Sequence, residues 1–198
     1  MQAMQPVKPN EIVDIAQYER IRQDFRATVI EAKERRRIGV GPVFTFLFEN
    51  HLTVLYQIQE MMRAERIVDD KAIAHELKTY NELIPLDGGL GASLLIEYTD
   101  PAERAVALER LLGLERHVRL ELEGLPPVPG QFDTRQMDDR KVSSVQYVQF
   151  ALGPEHRAQW NELGRAGKIR LVVDHPFYQH STVLTPDAAA ALGEDLAS

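Results

Sequence analysis

"GLPPVPGQFDTRQMDDRKVS", Gly124–Ser143, separates two segments of similar element order. A loop this long is uncommon in a compact domain unless it is functional or mobile. Its 20 residues hold three prolines, and it is read as a mobile loop. On its N-terminal side "ASLLIEY" is a strand. Asp100-Pro101-Ala102-Glu103 then starts a helix, with a cap, a proline at the first position and a carboxylate at the third. That helix runs to Gly113. "HVRLELEG" alternates apolar Val118, Leu120 and Leu122 with polar Arg119, Glu121 and Glu123, as a strand with one wet face does. Beyond the loop come the strand "SVQYVQFAL", a helix from Pro154 to about Arg165, and the strand "IRLVVD". From Ala92 to Asp174 the order is β-α-β, gap, β-α-β, which predicts a ferredoxin-like α+β sandwich.

The N-terminal part reads as a helical extension with one extra strand. Asp14 and Gln17 resemble a capping box, and Tyr18, Ile21, Phe25, Val29 and Ala32 share one face of the helix that follows. Gly39 and Gly41-Pro42 stop it. "VFTFLFE", Val43–Glu49, is short and rich in β-formers and reads as a buried strand. Asn50 caps a helix to about Ile67, and a third helix follows Asp69-Asp70, with Ile73, Leu77, Tyr80 and Ile84 in register. After "PLDGGLG" makes a loop, the β-rich part begins. A short piece around "STVLT" leads to a last helix started by Thr185-Pro186. The expected organisation is a flexible tail over 1–13 and a single α+β domain over 14–198. That domain is mainly helical over 14–84 and βαβ-βαβ over 92–198, with the long loop at 124–143.

Composition sets outer bounds. The chain of 198 residues is long enough for one sizeable core. A net charge of −7 argues against generic binding to nucleic acid or to an anionic membrane. With no cysteine, disulfides, thiol nucleophiles and self-held iron–sulfur clusters are excluded. "MQAMQPVKPN" has no basic region followed by an apolar run, and no apolar stretch approaches bilayer-spanning length. The expectation is a cytoplasmic soluble protein.

Two places carry misplaced polar chemistry. In "VLYQIQEMMRAERI", Val54–Ile67, a helical turn of about 100° per residue puts Glu65 at about 20° from Val54. Met61, Ile58, Met62 and Leu55 fall at about −20°, 40°, 80° and 100° on the same count. Glu65 therefore sits inside the apolar stripe and must be neutral, paired or metal-bound if it is buried. An ion pair with Arg22 or Arg36, which border the first helix's apolar face, is the default, and it would make Glu65→Gln strongly destabilising. The other reading is that the helix frays and Glu65 is wet. Glu60 and Arg63 read as an ordinary surface pair.

The second place is "VVDHPFYQH". A strand ends at Asp174, Pro176 holds His175 extended, and Tyr178 and His180 follow. These residues supply acid, base and metal-ligand options, or else form a turn bonded to backbone. Glu97, Glu49 or Glu65 could complete a His175-centred site for iron, manganese or zinc. The candidate set is thus Asp174, His175, Tyr178, Glu65, Glu97, Glu49 and Arg66, with His175 and Glu65 as metal ligands. Paired ExxH, HExxH, Walker A, GxGxxG and GxSxG patterns are all missing.

Read together, "RRRIGVGP", "FTFLFENHLTVLYQIQEMMRAERI", "LIPLDGGLGASLLIEY" and "VDHPFY" resemble the bacterial domain-of-unknown-function family 3501, over roughly Ile15 to Asp195. The resemblance implies an association with gene neighbourhoods that hold rubrerythrin-like proteins and CCG-type iron–sulfur oxidoreductase subunits. It points to an accessory factor in a redox or peroxide-stress system, with the Pro-rich segment as a docking element. The alternative is a metal-dependent redox enzyme built on His175. A homo-oligomer stays open.

Overall fold

The computed structural model describes residues 4–85, 87–133 and 139–196. The order is α1 (Ile15–Glu34), β1 (Arg37–Val40), β2 (Phe44–Glu49), α2 (His51–Glu65), α3 (Asp70–Asn81), β3 (Leu90–Ile96) and α4 (Pro101–Arg110). It continues with β4 (Val118–Leu122), β5 (Val128–Phe132), β6 (Val145–Phe150), α5 (Pro154–Arg165), β7 (Ile169–His175), β8 (Tyr178–Val183) and α6 (Pro186–Leu196). Four helix starts follow from local chemistry. Asp14, Asn50, Asp69 and Asp100 each accept a backbone N–H of the first turn with the side chain, satisfying donors that the helix leaves open.

The eight strands of the described residues join one sheet in the order β1-β2-β3-β6-β5-β4-β7-β8, with every neighbouring pair antiparallel. The sheet curls until β8 returns beside β1, giving a nearly closed barrel. Side chains close the seam. The Tyr178 hydroxyl donates to Val40 O at 2.6 Å and accepts the N–H groups of Val43 and Phe44 at 3.2 Å each. The Thr182 hydroxyl donates to Gly39 O at 2.7 Å. Gly41, at φ 69°, fits beneath this contact because a Cβ there would lie 2.5 Å from the Tyr178 hydroxyl oxygen. Tyr178→Phe should strand three backbone groups, those of Val40 and Phe44 buried and that of Val43 partly so, and lower stability by about 1–3 kcal/mol in urea denaturation; an unchanged midpoint would show that water replaces the hydroxyl.

This architecture overturns the ferredoxin-like sandwich, and the reason lies in the stretch taken for a loop. In that sandwich β4 would pair directly with β6, and β7 with β3. Instead β5 stands between β4 and β6, β7 lies on the far side of β4, and β2 occupies the other edge of β3. The first half of β5 pairs with β4, Val128 opposite Leu120 and Pro129 opposite Arg119. Its second half pairs with β6, with Gly130, Gln131 and Phe132 opposite Phe150, Gln149 and Val148. Val-Pro-Gly-Gln-Phe has turn composition, yet Val128 and Gly130 are buried while Pro129 and Gln131 are exposed. A Cβ on Gly130 would meet Val148 Cγ1 at 2.8 Å and Val118 Cγ1 at 3.3 Å, so glycine lets the strand cross the interior closely. β1 was also missed, because "RIGV" follows a cationic helix end with only a two-residue break.

Two apolar clusters hold the fold. Phe44, Phe46, Phe48, Leu94, Leu120, Phe150 and Leu171 fill the barrel interior, joined by Trp160 and Leu192 from α5 and α6. Val54, Ile58 and Met62 of α2 pack on Leu77 of α3 and on Leu83 and Ile84. Residues 4–13, expected as a tail, lie on this second cluster with Met4 and Val7 buried in it. Asn81 accepts the Val7 N–H at 2.7 Å and donates to its carbonyl at 2.9 Å. Gln59 does the same for Val13, at 2.8 and 3.2 Å.

An ion pair does join the first two long helices, but through Glu60. Arg22 reaches both Glu60 oxygens, at 2.8 and 2.9 Å, and the Tyr18 hydroxyl donates at 2.7 Å. Arg63 pairs with Glu19 instead of Glu60. Arg22 and Tyr18 hold the Glu60 carboxyl below the usual glutamate range against the opposing effect of burial. A carboxyl depressed in the folded state stabilises above its unfolded value and loses that contribution as pH falls through the folded one. Hydrogen-exchange protection of α1 should therefore fall on acidification below the ordinary glutamate range, before that of the barrel strands; equal loss in both would refute a Glu60 latch.

Candidate functional site

Glu65 is exposed at the last residue of α2. Arg66, also exposed, takes the left-handed conformation at φ 54°, and the Ile67 N–H turns back to Met62 O. The stripe is real up to Met62, but the helix stops as the stripe reaches Glu65, so the buried-pair reading fails. Both proposed arginine partners are engaged elsewhere, Arg22 on Glu60 and Arg36 on Asp195. Glu65→Gln is expected to shift stability by no more than about 0.5 kcal/mol. A loss of several kcal/mol in thermal unfolding would restore the buried pair.

The remaining candidates do not converge on one another. Glu49 is buried and accepts the Ser93 hydroxyl at 2.7 Å, while exposed Glu97 accepts that of Thr45 at 2.5 Å. β7 and β8 form a hairpin turning at Pro176-Phe177. In it His175 is buried, with Nε2 at 3.1 Å from Leu112 O and Nδ1 accepting the Phe177 N–H at 3.3 Å. These partners assign the proton to Nε2 and leave neither ring nitrogen free for a metal. Tyr178 is the barrel seam, stacked on Phe44 with ring centroids 4.0 Å apart, and burial raises its hydroxyl pKa.

Asp174 alone gains charged partners. Its exposed carboxylate accepts from the Arg119 guanidinium and from His117 Nδ1 at 3.1 Å, and Arg119 holds it below the usual aspartate range. Arg119 stands in β4, and His117 just precedes it, its carbonyl accepting the Asp174 N–H at 3.0 Å. Nothing in the sequence shows that β7 is the neighbour that brings Asp174 to them. Among the described residues no three His, Asp or Glu side chains gather as a metal-ligand set.

A cleft of about 1220 Å³ lies at another place, between the end of α3, the segment after it and the β5–β6 pair. Leu83, Ile84, Phe132 and Val148 give it apolar walls, and Pro6 of the N-terminal segment borders it. Lys78 and His75 of α3 bring donors, Asp87 and Asp133 bring carboxylates, and Gln131 and Gln149 stand opposite each other across the ladder. The Gln149 amide donates to Glu82 O at 2.8 Å. Burial, assisted by Tyr80, Glu49 and Asp133, raises the Tyr147 pKa, so its hydroxyl stays a neutral donor. The Thr79 hydroxyl bonds the His75 carbonyl at 3.0 Å. Such a lining suits binding, with apolar contact and several directed hydrogen bonds. The cleft is not legible in the sequence, because its residues come from four separated segments, one of them with loop composition.

A family model described as "Protein of unknown function (DUF3501)" matches residues 6–196. The chain is also similar to a crystal structure of a protein of unknown function from Burkholderia pseudomallei, at 34% identity and a TM-score of 0.87. That similarity covers 96% of this chain and 98% of the other. No curated protein matches the chain significantly. No helix among the described residues is long and apolar enough to cross a membrane.

Proposed function

This chain belongs to the DUF3501 family, and on that premise we propose that it is a binding, accessory protein that docks its partner at the cleft over β5 and β6. The observation that carries this reading is the cleft itself. It is large, it mixes apolar walls with polar groups, and Gln131, Phe132 and Asp133 of the Pro-rich segment line it. The histidine and tyrosine singled out for chemistry bond the backbone instead. The partner is a rubrerythrin-like or iron–sulfur oxidoreductase protein, the association that the family resemblance carries. A cysteine-free chain suits the role of a partner that holds no cluster of its own.

Titration of the purified chain against a rubrerythrin and against an iron–sulfur oxidoreductase subunit tests the proposal. Saturable binding to one of them is expected. Lys78→Glu with Gln131→Lys, both at exposed positions, should weaken it at least tenfold without lowering the melting temperature. No saturable binding to either, or binding indifferent to the double variant, sinks the reading. Metal content should be the same in His175→Ala as in the unsubstituted chain. Stoichiometric iron, manganese or zinc lost in that variant would establish the metal-enzyme alternative instead.

A further inference from the structure

The geometry of α4 points to a second copy of this chain as its partner, packed across a two-fold axis as an antiparallel α4–α4 pair. α4 covers the fold with little more than Leu108, and its outer side carries Val106 exposed between the charged Glu103 and Arg110. Val106 is 50% exposed, and nearby Phe177 is 65% exposed. Together with Tyr98 they border a groove of about 650 Å³ that shares no lining residue with the cleft over β5 and β6. Exposed apolar surface gathered around one groove marks an interaction site.

What selects a second copy is the symmetry of the helix face. Glu103, Val106, Ala107 and Arg110 recur at helical spacing on one side of α4, and all four line the groove. A two-fold axis passing between Val106 and Ala107 pairs the helix with itself in reverse. Val106 and Ala107 then straddle the axis, and each packs near its own counterpart in the other copy. Glu103 faces Arg110 of the other copy, and the pair occurs twice. Glu103 and Arg110 are about 10 Å apart along the axis, from a rise of about 1.5 Å per residue, too far to pair within one helix. Among the described residues neither has an ion pair in its own chain, and Arg110 instead lies over the Phe177 ring, 5.9 Å from its centroid. A self-complementary face of this kind is what a two-fold homodimer requires. One helix face and one turn lie at the small end of specific interfaces, so the dissociation constant should be on the order of micromolar.

Sedimentation equilibrium across the micromolar range tests this, with a concentration-dependent monomer–dimer equilibrium expected. Glu103→Arg alone and Arg110→Glu alone should each weaken the dimer at least tenfold, because each sets like charges opposite one another twice. The double variant should restore it. These positions are exposed, and melting temperatures confirm folding. A chain that stays monomeric at every concentration overturns the proposal, as do single variants that dimerise normally or a double variant that does not recover.

Discussion

Asp195→Ala is expected to lower stability by about 3–5 kcal/mol, the range for breaking a buried ion pair by removing one partner. Arg36 and Asp195 are 4% and 1% exposed, and their two contacts, 2.6 and 2.8 Å, form a fork-to-fork pair. Arg36 also donates to Ala191 O at 3.0 Å, so it ties the start of the barrel to two points on α6. Truncating Asp195 leaves a guanidinium in the interior with no counter-charge. Replacing both residues by apolar ones, Arg36→Met with Asp195→Leu, should cost much less than either loss alone. Urea denaturation of the three proteins decides the matter; a double variant as unstable as Asp195→Ala would mean that packing, not unpaired charge, sets the penalty. Burial pushes the Asp195 carboxyl above its ordinary value, with Arg36 pulling in the opposite direction. The linkage therefore runs opposite to that of Glu60. The cost of ionising the buried carboxyl is absent below the unfolded aspartate value and grows as pH rises towards the folded one.

Trp160→Ala should be of similar size, about 3–5 kcal/mol. The indole is 1% exposed, and its N–H donates to Ala189 O at 2.8 Å. It sits where α5 and α6 approach so closely that side chains have no room. A Cβ on Gly193 would lie 3.1 Å from Trp160 Cδ1, and one on Gly164 would lie 2.7 Å from Ala189 Cβ. A close-packed contact of this kind relaxes little, so truncation leaves most of the ring's volume as a cavity. Trp160→Phe should retain much of the packing but lose the hydrogen bond, for an intermediate loss. Thermal unfolding that ranked Phe below Ala would show the site collapsing around the smaller residue.

The local chemistry of this chain was legible because it depends on near neighbours. Aspartate and asparagine caps placed the starts of α1, α2, α3 and α4, and Pro154 and Thr185-Pro186 placed those of α5 and α6. Alternation placed β4. The same local rules misread Val128–Phe132, where proline and glycine served a strand passing between two neighbours. They also carried the α2 stripe one turn too far, to Glu65. At the candidate site, Asp174 could be singled out as polar chemistry at a strand end, but not its partners.

Periodicity, caps and turn residues act over a few positions, so the family, the helices and most of the strands could be read without the fold. Only the tertiary structure decided which strands are neighbours, which carboxylate meets Arg22, and that a cleft forms over β5 and β6. Each depends on pairing between distant segments: Arg36 with Asp195, Pro129 with Arg119, Tyr178 with Val40. Such pairings follow from closing the whole sheet around its core, an event that no short window of residues encodes.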